Sequence, residues 1–85
     1  MIVLTSDLAK QTIPAAYFKT LANLHMDGLA TAASICNARA TVAPAGSRSR
    51  TLWLNRRELV IAEIDRRGWM IRKGSDARYL AEPRG

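Results

Sequence analysis

The chain has 85 residues, a formal net charge of +6 and a hydrophobic content of 48%. That length makes one small basic domain, 1–85, with a modest core, and the apolar content argues against a disordered polybasic tail. No apolar run approaches the roughly 20 residues that span a bilayer, Met1–Leu4 is too short for a signal-peptide core, and the single Cys36 allows no internal disulfide, so a reducing cytoplasm is expected.

Met1–Leu4 suits a short edge strand, and Thr5, Ser6 and Asp7 are N-cap types that start a helical turn near Asp7. Proline is tolerated in a helix's first turn, so the main first helix is expected from Ile13–Pro14, with Tyr17, Leu21, Leu24 and Met26 on its apolar side. Asp27-Gly28 supplies a stop before a second, alanine-rich helix over Leu29–Asn37. Glycine costs only about 1 kcal/mol inside a helix, so one long helix through Gly28 is the alternative.

Arg39–Ala43 alternates weakly as a strand, Pro44–Arg50 is a loop by composition, and Thr51–Leu54 is a strand by propensity. Asn55 and Glu58 form a capping-box-like start for a helix that runs through Arg67 and stops at Gly68, with Val60, Ile61 and Ile64 on its buried face. Trp69–Arg72 and Ala77–Glu82 then pair around Gly74-Ser75. A two-residue turn sets Lys73 opposite Asp76, Met70 opposite Tyr79 and Trp69 opposite Leu80, and turns Trp69, Ile71 and Leu80 towards the helix. Pro83-Arg84-Gly85 reads as a frayed end. The expected class is α+β: an N-terminal helix or helix pair, a β-hairpin, a helix and a second β-hairpin in a small antiparallel sheet.

Catalytic signals are sparse. His25 is the sole histidine and sits near a helix end, Cys36 reads as a buried structural thiol, and most carboxylates flank arginines that lower their pKa. The glycines are isolated and cradle no phosphate, and no spacing suits a metal. A protein that is not an enzyme is expected, with no cofactor, metal or small-molecule substrate. An enzyme would need a cleft that groups His25 or Cys36 with a carboxylate.

The arginines carry the functional signal. Residues 39–78 hold nine arginines and Lys73 against Glu58, Glu63, Asp65 and Asp76, so the whole excess of +6 lies there. Arg66 and Arg67 suit the last turn of a helix, where cations oppose the dipole's negative end and Glu63 pairs with Arg67. Arg56 and Arg57 fall in the expected first turn, where positive charge is unfavourable and therefore more informative. Arg48 and Arg50 lie in the expected loop, and Arg72, Lys73 and Arg78 at the hairpin tip, where charge and reach suit phosphate contacts. These seven are the candidate nucleic-acid contacts. Trp53, Trp69 and Tyr79 are either stacking platforms or core, and the core reading is the commoner for aromatics beside aliphatics. Leu59, Met70 and Tyr79, with Arg72 beside them, form a mixed patch fit for a protein partner.

The helix Asn55–Arg67, a glycine and a hairpin with a basic tip together resemble the end of a winged-helix DNA-binding domain, which makes that helix the recognition helix and Trp69–Glu82 the wing. The chain departs from that pattern where the strand Thr51–Leu54, in place of a helix, precedes it. Thr51–Leu80, the Leu-Thr-Ser-Asp start and the alanine-rich helix also resemble small accessory proteins of tailed bacteriophages. That resemblance implies a protein that binds and redirects host or phage machinery in the host cytoplasm. The leading expectation is non-catalytic binding of nucleic acid, or of a complex that handles it, through a basic C-terminal face. The partner of the basic face is expected to be nucleic acid or an acidic protein surface, and the alternative function is a phage-type inhibitor or adaptor that acts by protein–protein interaction with a host protein, with a homodimer also possible.

Overall fold

Alanine sets the centre of the fold. Met26–Val42 forms a single helix, α2, in which Ala30, Ala32, Ala33, Ala38 and Ala40 are buried together with Ser34 and Cys36. Small side chains let neighbouring elements approach its backbone from more than one side. The structure is a computed structural model and describes residues 4–74 and 76–84. A short helix, α1 (Thr5–Ala9), and two 3₁₀ turns (Ala15–Lys19 and Leu21–Asn23) precede α2. A long helix, α3 (Arg48–Arg66), and the antiparallel strands β1 (Trp69–Lys73) and β2 (Tyr79–Pro83) follow it. The class is α+β, with helices followed by a two-stranded hairpin. Among the described residues no helix is long and apolar enough to cross a membrane.

The helix expected from Ile13 is replaced by the two 3₁₀ turns, and α2 begins at Met26, ahead of Gly28, where the sequence suggested a stop. The reason is tertiary. Arg67, from the far end of α3, donates to the carbonyls of Leu24 (2.6 Å), Leu21 (2.9 Å) and Ala22 (3.0 Å). An α-helix would need those carbonyls for its own ladder. The Tyr17 hydroxyl also donates to the Gly28 carbonyl at 3.0 Å, fastening the 3₁₀ segment to α2.

The first expected hairpin is absent, because Arg39–Val42 ends α2 and Thr51–Leu54 lies inside α3. Ser47 is the true N-cap of α3, its hydroxyl accepting from the Arg50 N–H at 3.1 Å. Trp53, Val60 and Ile64 then share one buried stripe, which overrides the strand propensity of Thr51–Leu54. Ile61 is only half-buried. Asn55 is an exposed mid-helix residue, not a cap, and Arg56 and Arg57 lie in mid-helix, clear of the unfavourable first turn.

α2 and α3 run antiparallel along their whole length. Leu29, Ala32 and Ala33 pack with Val60 and Ile64 at one end, and Cys36 and Ala40 with Trp53 at the other. Asn37 meets Arg57 between them. Leu8 of α1 packs on Ile35 and Ala38.

The hairpin forms in a different register from the expected one. Lys73 faces Tyr79, Ile71 faces Ala81 and Trp69 faces Pro83. A shift by an odd number of residues turns β2 over. Tyr79 therefore points to the core beside Trp69 and Ile71, and Leu80 points outward at 43% exposure. The cause is a longer connection: Asp76 accepts from the Arg78 N–H at 3.0 Å, and the Gly74 N–H donates to the Arg78 carbonyl at 3.1 Å. Met1–Val3 of the expected edge strand, Ser75 of the expected turn dipeptide and Gly85 lie outside the described residues. Pro83 and Arg84 are not frayed: Pro83 belongs to β2, the Arg84 N–H donates to the Gly68 carbonyl at 3.0 Å, and its guanidinium pairs with Asp65.

Candidate functional site

The arginines divide by whether a carboxylate neutralises them. Arg66 and Arg67 share Glu63 at 2.6 and 2.7 Å. Those two guanidiniums hold the Glu63 carboxyl at about 2, well below the usual carboxylate range. At the hairpin, Arg72 pairs with Glu82 at 3.4 Å and Arg78 with Asp76 at 2.9 Å. Lys73 stands exposed at the end of β1, and among the described residues it makes no ion pair. The tip is thus close to neutral, a poorer anion site than the sequence suggested.

The other group, in which only Arg57 meets a carboxylate, lies where the C-terminal half of α2 meets the N-terminal half of α3. Arg56 stacks over Trp53 at 4.7 Å and over Phe18 at 4.9 Å, measured from Cζ to the ring centroid. Arg39 stacks over the same Trp53 at 4.9 Å and donates through Nε to the Gln11 carbonyl. Arg57 donates to Asn37 Oδ1 at 2.7 Å and meets Glu58 at 3.1 Å. Two turns earlier, Arg50 reaches the Ala43 carbonyl at 3.4 Å. Arg48 is exposed in the first turn of α3. Among the described residues, Arg39, Arg48, Arg50 and Arg56 have no carboxylate partner.

Three of these arginines, Arg39, Arg56 and Arg57, lie near enough to Cys36 to act on its thiol. Burial pushes its thiol up to about 11, against the pull of Arg56, Arg39 and Arg57, whose charges all favour a thiolate there. Two guanidiniums on one indole stand within about 10 Å of each other, and at an effective dielectric near 20 their repulsion is of order 1 kcal/mol. Cation–π attraction and packing hold them there.

The structure therefore places Arg48, Arg50, Arg56 and Arg57 on α3 and Arg72, Lys73 and Arg78 at the hairpin; among the described residues Arg57, Arg72 and Arg78 pair with carboxylates, and Arg48, Arg50, Arg56 and Lys73 do not. Sequence reasoning missed Arg39, because the strand reading of Arg39–Ala43 hid its place on the Cys36 side of a helix. It also missed Phe18 and Trp53 as the surface on which the guanidiniums rest. Of the proposed protein-contact residues, Leu59 is 53% and Met70 42% exposed, whereas Tyr79 packs inward. Among the described residues no group of His, Cys, Asp or Glu is placed to hold a metal ion. Comparison with protein-family models, curated proteins and solved structures finds no match to this chain.

Proposed function

We propose that this protein is a non-catalytic binder of nucleic acid, or of a complex that handles nucleic acid, and that Arg39, Arg48, Arg50 and Arg56 make the contact. One observation carries the proposal: two guanidiniums share the Trp53 indole, and among the described residues neither has a carboxylate partner. A folded domain tolerates such a like-charge pair more readily when an anion completes it. Such a protein would act in the cytoplasm, the host's if a phage encodes it. Fluorescence anisotropy with a labelled oligonucleotide at stepped salt tests this. Affinity should fall steeply as salt rises, and Arg39→Gln with Arg56→Gln should flatten the dependence. Salt-insensitive or absent binding refutes it.

A second reading has its own observation. Leu59 on α3 and Met70 and Leu80 on the outer face of the hairpin are all large, apolar and exposed. That pattern suits an inhibitor or adaptor that docks on a protein, a second copy included. Under it, Leu59→Lys abolishes association measured by light scattering or with a purified partner, and the arginine variants leave association intact.

A further inference from the structure

We infer that the nucleic acid is taken as a duplex and held through its phosphates alone. This rests on the reading above and narrows it. The chain has five aromatic residues, and each ring is already committed. Trp53 is 8% exposed beneath Arg39 and Arg56, and Phe18 lies under Arg56. Tyr17 packs edge-on against Phe18 at 5.6 Å, with its hydroxyl on the Gly28 carbonyl. Trp69 and Tyr79 pack on the cluster that holds Leu29, Val60 and Ile64. Proteins that favour single strands stack bases on open rings. Here the guanidiniums occupy that place.

Base reading by α3 is disfavoured as well. A helix that enters the major groove presents donors and small apolar groups to base edges between two rows of phosphates. The exposed stripe of α3 runs from Arg48 in its first turn through Leu52, Asn55 and Leu59, so its middle offers one polar side chain, and it is flanked by the carboxylates of Glu58 and Asp65, which are 64% and 55% exposed although paired with Arg57 and Arg84. Carboxylates at that position would be pressed against the phosphate rows. The α2–α3 arginines avoid this conflict if they meet the backbone from outside the groove. A duplex presents one charge per about 1.7 Å of axis against about 3.4 Å along one strand, so guanidiniums that read only phosphate meet the denser line of charge on the duplex.

The test is anisotropy titration with two 20-base-pair DNA duplexes of unrelated sequence and with their separated strands, at three salt concentrations. The duplexes should bind at least about fivefold more tightly than the strands and agree with each other within about twofold. Asn55→Ala should change neither value. Arg39→Gln with Arg56→Gln should lower the slope of log affinity against log salt by roughly two. Arg56→Lys, which keeps the charge, should retain the slope, and so separates lost charge from lost folding. Strands that bind as tightly as duplexes, or a sequence preference that Asn55→Ala erases, overturn this inference and leave nucleic-acid binding standing. Loss of the slope in Arg56→Lys overturns it too. Failure of both duplexes and strands to bind at low salt refutes the underlying reading as well.

Discussion

The hydroxyl of Ser34, buried in α2, accepts a 2.7 Å hydrogen bond from the backbone N–H of Tyr79 and donates one of 2.9 Å to the Ala30 carbonyl. This single oxygen joins the first residue of β2 to the central helix. Ser34→Ala would leave the Tyr79 amide without a partner in a half-buried setting. The expected loss is about 1–3 kcal/mol, read by chemical denaturation. Amide exchange at Tyr79 should accelerate more than exchange in α3. An unchanged midpoint would mean that water replaces the hydroxyl.

The register of the hairpin yields a paired prediction. Tyr79 packs on the core and Leu80 faces outward. Tyr79→Ala should cost about 2 kcal/mol or more by opening a gap beside Trp69 and Ile71. Leu80→Lys should stay within about 0.5 kcal/mol of the parent. Equilibrium unfolding of the two variants distinguishes the registers, since the two-residue turn reverses the order.

These contrasts show which features were local enough to be read from the chain. Gly68 stops α3 with φ +79, as its position after the last periodic residue suggests. Val60, Ile64 and the Glu63–Arg67 pair follow from helical spacing alone. The start of α3 was encoded too: Trp53 stands seven residues before Val60 and eleven before Ile64, a helical interval that its strand-like neighbours masked. The 3₁₀ segment and the hairpin register were not, because Arg67, forty-odd residues away, and the Asp76 carboxylate decide them. The candidate site falls between these cases. Its arginines are visible in the sequence, but their sorting into neutralised and unbalanced groups exists only in the fold.

Arg67 is the clearest long-range tie. Its guanidinium serves Glu63 and three carbonyls of the 3₁₀ segment at once. Lysine keeps the charge and loses the planar fork. Arg67→Lys should therefore cost about 2 kcal/mol, with exchange of the Thr20 and Leu24 amides rising first. A Lys variant as stable as the parent, with those amides still protected, would show that charge alone holds the segment.

Glu63 gives a pH dependence with a definite sign. The Arg66 and Arg67 guanidiniums lower its carboxyl from 4.5 to about 2 in the fold. A lowered folded-state pKa means that the unfolded chain takes up the proton first as pH falls. The stabilisation is complete above about pH 4.5 and disappears between there and about 2. Urea midpoints measured from pH 6 to pH 2 should drop across that window, and Glu63→Gln should drop less. Equal acid sensitivity in both proteins would assign the transition to other carboxylates.

Cys36 titrates in the opposite direction. It is fully buried, and burial raises its thiol from 9.0 to about 11 despite three nearby guanidiniums. The unfolded chain therefore ionises first as pH rises. Whatever stability this group contributes is complete below about pH 9 and is lost by about pH 11. At pH 8 the native thiol is both protonated and enclosed, so a thiol reagent reaches it only when the fold opens. Labelling should be slow in buffer and should accelerate with urea in step with unfolding. Fast labelling that ignores denaturant would mean that the α2–α3 seam opens locally at Trp53, and the stacked arginines above it would then be mobile, not a preformed anion site.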